Sequence, residues 1–196
     1  MELDEKDELA EPVKPAAKSE VWEWSKAILI AVVLVIVIRM FIFKPFIVDG
    51  PSMQPNFFTG ERLIVSEWIY HLRKPHRGEV VVFHASKEKD YIKRVIALPG
   101  ETISISDGTV YINGSPLDEP YIADAAKRYK EETNGNYSAD FPEQTVPEGT
   151  VFVLGDNRVD STDSRIIGPV NYGEIIGRAD IVFWPLNKAQ IVNHKN

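Results

Sequence analysis

An uninterrupted apolar run at residues 27–38, AILIAVVLVIVI, constrains the fold of this chain most strongly. Extended to residues 21–43, the run covers roughly 20 residues, enough for a helix to cross a hydrocarbon core of about 30 Å. It lacks the polar face of an interfacial helix, and no small-residue cleavage site follows it. A buried helix of a soluble domain is a further alternative. We expect a single transmembrane anchor over residues 21–43.

Charge and cysteine content exclude several classes of function. The 196 residues include no cysteine, which excludes disulfides and thiolate chemistry. The net charge of −7 offers no electrostatic footprint for nucleic acid. Acidic residues concentrate in residues 1–20, which we expect to form a disordered tail.

The remainder of the chain, residues 44–196, alternates short β-rich stretches with turn signals. Asp107 and Gly108 favour a tight hairpin turn between two of these stretches. We therefore predict a mainly β fold, an antiparallel domain of bent sheets. The polar segment 115–148 is expected to be an inserted loop or small lobe, with helical spacing only around 123–132. The predicted strands cover residues 62–67, 79–84, 91–97, 102–106, 109–112, 150–154 and 175–184.

A serine lies in a tight, proline-bounded turn directly after the apolar run. The segment reads Gly50-Pro51-Ser52-Met53-Gln54-Pro55. Such a turn can hold a hydroxyl in a fixed and exposed position. Considered alone, the segment is more typical of a purely structural turn.

A lysine interrupts one predicted strand, YIKRVIA at residues 91–97. Strand alternation predicts that Tyr91, Lys93, Val95 and Ala97 share one face. A free lysine has a pKa of about 10.4, and burial can lower that pKa by about 3–5 units, enough to yield a base near neutral pH. The alternative is a strand lysine whose amine extends to water.

A polar string follows another predicted strand, Gly155-Asp156-Asn157-Arg158 continuing to Arg165. Short polar side chains of this kind can hold a catalytic group in place. The string is also compatible with a loop that satisfies its own backbone. A third interpretation is a calcium site built from Asp156, Asn157, Asp160 and Asp163, although the glycine and terminal glutamate of a helix–loop–helix calcium loop are missing.

These segments, in this order behind one apolar run, resemble the bacterial type I signal peptidases, in the small form typical of Gram-positive bacteria. The motifs are Ser-Met-x-Pro, Lys-Arg-Val-x-Ala-x-Pro-Gly and the polar string. The resemblance implies a membrane-bound serine endopeptidase that cleaves signal peptides from exported preproteins after small residues. It implies that Ser52 is the nucleophile and Lys93 the general base, with no cofactor and no metal.

The resemblance also implies a set of supporting residues. Ser161 would orient the lysine amine, Asp163 and Arg165 would form a bracing pair, and Arg94 would belong to the same shell. Larger members of the family place an oxyanion-binding serine where this chain has Gly50. The oxyanion would therefore rely on backbone N–H groups of Ser52 and of Gly50.

The resemblance places the protein in the plasma membrane as a single-pass protein, with a cytoplasmic N-terminus and the catalytic domain outside. We expect a monomer, although the sequence leaves the oligomeric state open. Its partners would be exported preproteins and the lipid bilayer, with no nucleic acid. Rival hypotheses are a Ser-His-Asp peptidase, for which His84 is one candidate, and a self-cleaving repressor-type protease. An anchored β-module that binds peptides without cleaving them is the alternative from another class.

Overall fold

The computed structural model describes residues 17–41 and 43–194, with side chains described from 20 to 35 and from 45 onward. The chain divides into two units between Arg39 and Met40. Helix α1 covers Ala17–Phe41, and its residues 17–39 are the described part of the first unit. Within the described part of the chain, no helix combines the length and apolar character needed to cross a membrane. Most of the tail expected over 1–20 lies outside the described residues.

The second unit is built from two antiparallel sheets, as the sequence predicted. The strands are β1 Phe43–Ile47, β2 Arg62–Ser66, β3 Val80–His84, β4 Asp90–Ala97, β5 Thr102–Ser106, β6 Thr109–Ile112, β7 Ser115–Pro116, β8 Phe141–Thr145, β9 Thr150–Leu154, β10 Val170–Asn171, β11 Ile175–Trp184 and β12 Gln190–Ile191. In the larger sheet the strand order is β1-β2-β11-β3-β4-β9-β10, and β12 pairs with β11. The smaller sheet has the order β7-β6-β5-β8.

Bulges bend the larger sheet next to the segment that carries Lys93. The register between β4 and β9 shifts between Val95 and Ala97. This shift is a β-bulge, in which one strand has an extra residue opposite its partner. A bulge bends the strand and interrupts the alternation of its side chains between the two faces of the sheet. Ile96 and Ala97 consequently lie in the same apolar cluster, whereas Val95 lies in another. The prediction that Ala97 lies on the same face of the strand as Lys93 and Val95 is therefore wrong.

Three short helices and five strands, β1, β7, β8, β10 and β12, were not predicted as such from the sequence. Helices α2, Ile69–Leu72, and α4, Ser164–Ile167, each make a single turn, and α3 covers Ala123–Thr133, where helical spacing was noted. Strand β8 pairs with β5, so segment 115–148 contributes a strand to the smaller sheet. Strand β1 includes Pro45, a residue that favours an edge position, and β1 does lie at the edge.

Candidate active site

Buried apolar side chains anchor the turn that carries Ser52 to the core of the β-domain. Met53 is completely buried and Phe57 is 2% exposed, and both pack with Val48 and Leu63. The backbone N–H groups of Gln54 and Phe57 donate to Pro51 O and Met53 O, each at 3.0 Å. Since the neighbours of Ser52 are fixed on both sides, its half-buried side chain has a defined direction.

Lys93 reaches Ser52 from strand β4. Its Nζ atom lies 2.8 Å from Ser52 Oγ and 2.8 Å from the carbonyl oxygen of Ile92. The residue is only 3% exposed. Burial lowers the pKa of Lys93 from 10.5 to about 8, while the negative charges of Asp163 and Asp156 oppose part of that decrease. A larger fraction of this amine than of an exposed lysine is therefore neutral near pH 7, and a general base must be in the neutral form.

Asp163 and Arg165 form the pair that the resemblance implied. Arg165 Nε and Nη2 donate to the two carboxylate oxygens of Asp163, each at 2.8 Å. Asp163 is fully buried and also accepts a hydrogen bond from the Gly155 N–H at 3.0 Å. The pair therefore fixes the start of the polar string.

Arg94 lies beside Lys93, and its partner is Asp156. Arg94 Nε and Nη2 donate to Asp156 Oδ1 and Oδ2 at 2.8 and 2.7 Å, and both side chains are almost wholly buried. Asn56 Nδ2, from the serine turn, donates to the same carboxylate at 2.8 Å. Asp156 thus joins the lysine strand to the serine turn, a role that the sequence analysis missed.

The polar string contacts the backbone of the serine turn directly. Asn157 N–H donates to Ser52 O at 3.0 Å, and Asn157 Nδ2 donates to Pro51 O at 3.3 Å. A Cβ atom on Gly155 would lie 2.5 Å from Ser52 O and 2.2 Å from Ser161 Oγ. Glycine is therefore required at position 155 for the polar string to pack this closely against the serine turn. The presence of a glycine at the start of the string was the one feature of the sequence that could have indicated this contact.

Two expected contacts differ in the structure. Ser161 Oγ is buried beside Gly155 but has no hydrogen-bond partner among the described residues, so it does not bind the Lys93 amine. The Gly50 N–H donates to Thr59 Oγ1 at 3.2 Å, which occupies one of the two expected oxyanion donors. Gly50 also has a φ of +96°, a conformation that favours glycine.

The residues considered for a calcium site and for a catalytic histidine make other contacts in the structure. Two of the four calcium candidates, Asp156 and Asp163, are paired with arginines. Within residues 17–41 and 43–194, no group of three or more histidine or acidic side chains could hold a metal ion. His84 is exposed, and its Nδ1 lies 2.6 Å from Asp90 Oδ1.

A groove of about 250 Å³ opens over the Ser52–Lys93 pair. Its walls combine the segment leading into the serine turn with the first half of β4. The lining includes Phe46, Ile47, Val48, Asp49, Gly50, Pro51, Ser52, Leu63, Val82, Asp90, Tyr91, Ile92, Lys93, Asp160 and Thr162. The groove therefore combines an apolar floor with a hydroxyl and an amine at one side, a lining typical of ligand-binding clefts.

Comparison with known proteins identifies the family. The family model described as "Signal peptidase, peptidase S26" matches residues 21–184. The chain belongs to the signal peptidase family. Signal peptidase I of Bacillus amyloliquefaciens is 39% identical over 188 residues, covering 91% of this chain and 97% of that protein. Signal peptidase I S of Bacillus subtilis is 41% identical over 177 residues, covering 90% and 96%.

A solved structure agrees with this assignment. The crystal structure of a signal peptidase I from Enterococcus faecalis V583 is 40% identical and superimposes with a TM-score of 0.50, covering 54% of this chain and 97% of that chain. The family predicted from the sequence is confirmed, and with it the serine peptidase class. The antiparallel β-domain of a signal peptidase is confirmed as well.

Proposed function

We propose that this signal peptidase cleaves the signal peptides of exported preproteins with Ser52 as nucleophile and neutral Lys93 as general base. The observation that carries the proposal is the 2.8 Å distance between Lys93 Nζ and Ser52 Oγ. The lowered pKa of Lys93 supports the same roles, because an amine with a pKa of about 8 is partly neutral at physiological pH.

The reaction is acyl transfer. Lys93 takes the proton of the Ser52 hydroxyl as Oγ attacks the scissile carbonyl carbon, and the carbonyl electron pair moves to the oxygen. The Lys93 ammonium then gives its proton to the leaving amine as the C–N bond breaks. Water, deprotonated by Lys93, attacks the carbonyl carbon of the acyl ester and forms a tetrahedral intermediate. As this intermediate collapses, the bond between the carbon and Ser52 Oγ breaks and Lys93 returns the proton to Oγ. The new carboxylic acid is released and loses its proton to solvent.

The oxyanion needs a hydrogen-bond donor, and the Ser52 N–H is the best candidate. It makes no hydrogen bond to another described residue. The Gly50 N–H already donates to Thr59 Oγ1, so it would have to exchange partners to serve as a second donor. One preorganised donor is worth about 3 kcal/mol of transition-state stabilisation.

The groove supports selection of small residues on the amino-terminal side of the cleaved bond. Its apolar floor includes Leu63 and Val82, which are 1% and 2% exposed. Because both side chains are packed in the core, they cannot move to enlarge the groove without disrupting that packing. A larger substrate side chain would therefore be excluded by size. Each methylene contributes about 1–3 kcal/mol to such discrimination.

We further propose that residues 21–43 anchor the protein in the plasma membrane, with the N-terminus in the cytoplasm and the β-domain outside. The support is the apolar run 27–38 together with membership of the family. Few residues separate this run from Ser52, which suits cleavage of a substrate whose own apolar segment lies in the same bilayer. In this proposal the protein is a monomer, and its partners are the lipid bilayer and exported preproteins.

The proposal is tested by cleavage of a model preprotein with an Ala-x-Ala site by the full chain in detergent micelles. Wild type is expected to cut after the second alanine, and Ser52→Ala is expected to be inactive while folded. Precursor binding without cleavage by wild type would favour the non-catalytic peptide-binding module instead. Cleavage by Ser52→Ala at the wild-type rate would exclude Ser52 as the nucleophile.

A further inference from the structure

Segment 115–148 makes a buried ion pair with the polar string beside the active site. Arg158 Nη1 and Nη2 donate to Glu119 Oε2 and Oε1 at 2.9 and 2.5 Å. The Arg158 side chain is fully buried, and that of Glu119 is 11% exposed. Ser138, from the same segment, accepts a further hydrogen bond from Arg158 Nη1 at 3.2 Å.

Arg158 in turn holds the backbone of the polar string. Its Nε donates to Gly155 O at 3.0 Å, and its own carbonyl accepts from Arg165 Nη2 at 2.9 Å. Between these points lies Asn157, whose N–H binds Ser52 O. A displacement of Arg158 would therefore reach the backbone of the serine turn through one residue.

Tyr121 makes a second connection from the same segment. Its hydroxyl donates to Glu119 Oε1 at 2.5 Å, and its carbonyl accepts from Asn56 Nδ2 at 3.0 Å. The Arg94 guanidinium lies 4.0 Å from the centre of the Tyr121 ring. The segment thus contacts both the serine turn and the neighbour of Lys93.

We infer that Glu119 is a positioning residue for the peptidase reaction: through Arg158 it aligns the Gly155–Asn157 backbone that holds Ser52 against Lys93. A buried guanidinium requires a charged partner, because an unpaired buried charge is strongly unfavourable. The carboxylate of Asp156 also acts electrostatically on Arg158, but it is already bound by Nε and Nη2 of Arg94. Without Glu119, Arg158 would compete for Asp156 or turn toward water, and either movement would shift the loop.

The inference rests on the proposed function, and the test separates the two. Glu119→Gln and Arg158→Lys are compared with Glu131→Gln and Arg128→Lys, which make the same changes on the exposed helix α3. The first pair is expected to lower kcat about 10- to 100-fold, with KM changed by less than about two-fold, because small misplacements of reacting groups act on the chemical step. All rates are measured where thermal unfolding shows each variant to be folded.

Hydrogen exchange gives a readout that does not require turnover. Faster exchange is expected in peptides covering residues 52–57 and 155–158 in Glu119→Gln and in Arg158→Lys, and unchanged exchange in both controls. Arg158→Lys keeps the buried charge, so it supplies the answer if Glu119→Gln does not fold. Wild-type kcat together with wild-type exchange in the folded variants would overturn the inference while leaving cleavage by Ser52 intact. An inactive Ser52→Ala enzyme alongside an active wild type establishes the proposed function independently.

Discussion

The amine of Lys93 and the hydroxyl of Ser52 lie 2.8 Å apart although 41 positions separate them in the chain. Strand β4 supplies the amine, and the turn before β2 supplies the hydroxyl. The amine also lies 5.0 Å from the centre of the Tyr91 ring, and Lys93 is only 3% exposed. The short distance allows proton transfer between the two groups, and the burial of Lys93 favours the neutral amine that can accept the proton.

Lys93→Met should abolish most of the peptidase activity. Methionine fills a similar volume but cannot accept the Ser52 proton, and general-base catalysis contributes about 10²- to 10⁴-fold. The expected result is a loss of that size in kcat/KM on a model preprotein. Lys87→Met, on an exposed loop, is the matched control and should retain the wild-type rate. A near-normal rate in Lys93→Met would place the base elsewhere.

The pH dependence of cleavage should report the neutral amine of Lys93. Its pKa of about 8 means that kcat/KM rises with pH below 8 and levels off above it. The profile should be measured with a substrate that has no group titrating in this range. An inflection near pH 6.5, the ordinary pKa of histidine, would contradict the assignment.

Lys93→Met should also make the folded protein more stable at neutral pH. The pKa of Lys93 is lower in the folded state than in the unfolded chain, so the folded state binds fewer protons between pH 8 and 10.5. The free energy of unfolding of wild type therefore rises with pH across that window, and the full penalty, about 3 kcal/mol, applies below pH 8.

Denaturant unfolding at pH 7 and at pH 10.5 measures this effect. Lys93→Met is expected to exceed wild type by up to about 3 kcal/mol at pH 7, and the advantage should shrink toward pH 10.5. Equal stability of the two proteins at pH 7 would mean that Lys93 is not destabilised by burial.

Asp156→Asn should destabilise the fold. It leaves the Arg94 guanidinium, 2% exposed, without a charged partner, and breaking a buried ion pair costs about 3–5 kcal/mol. Asp118→Asn makes the same change at an exposed position and should alter stability by less than about 0.5 kcal/mol. Comparable effects of the two substitutions in thermal unfolding would contradict the importance of the Arg94–Asp156 pair.

Gly155→Ala and Gly177→Ala should separate stability from catalysis. An added Cβ would lie 2.5 Å from a backbone oxygen in each case, Ser52 O for Gly155 and Ser66 O for Gly177. Both substitutions should cost about 1–3 kcal/mol through overpacking. Only Gly155→Ala should also lower kcat in the folded protein, because only its clash displaces the serine turn. Equal kcat values for the two variants would contradict this contact.

Local patterns were sufficient to predict most of the β-domain. Strands β9 and β11 have the predicted bounds, and β4 begins one residue earlier than expected, because alternation and turn residues act over short distances. Strand β8 was missed because FPEQT has neither regular alternation nor a buried face, and it forms by pairing with β5. The bulge that moves Ala97 to the side of Ile96 also depends on a partner strand.

The candidate nucleophile and base were predicted from motifs, but of their supporting contacts only the Asp163–Arg165 pair was expected. Ser161 was expected to bind the lysine amine, and its hydroxyl instead lies without a hydrogen-bond partner among the described residues. Asp156 was expected to belong to a polar string or to a calcium site, without a partner being named. In the structure it binds both Arg94 and Asn56, and Asn56 is 100 positions away in the chain. Motif spacing carries no information on which of several short polar side chains will meet.

The sequence by itself determined the family, the antiparallel β class and the two residues at the centre of the proposed chemistry, since these depend on residue type and short-range pattern. Only the tertiary structure decided that Lys93 is buried enough to have a pKa of about 8 and that Glu119 reaches Arg158. Burial and ion pairing depend on which distant strands and loops pack around a group. Desolvation and charge at that location then determine its protonation.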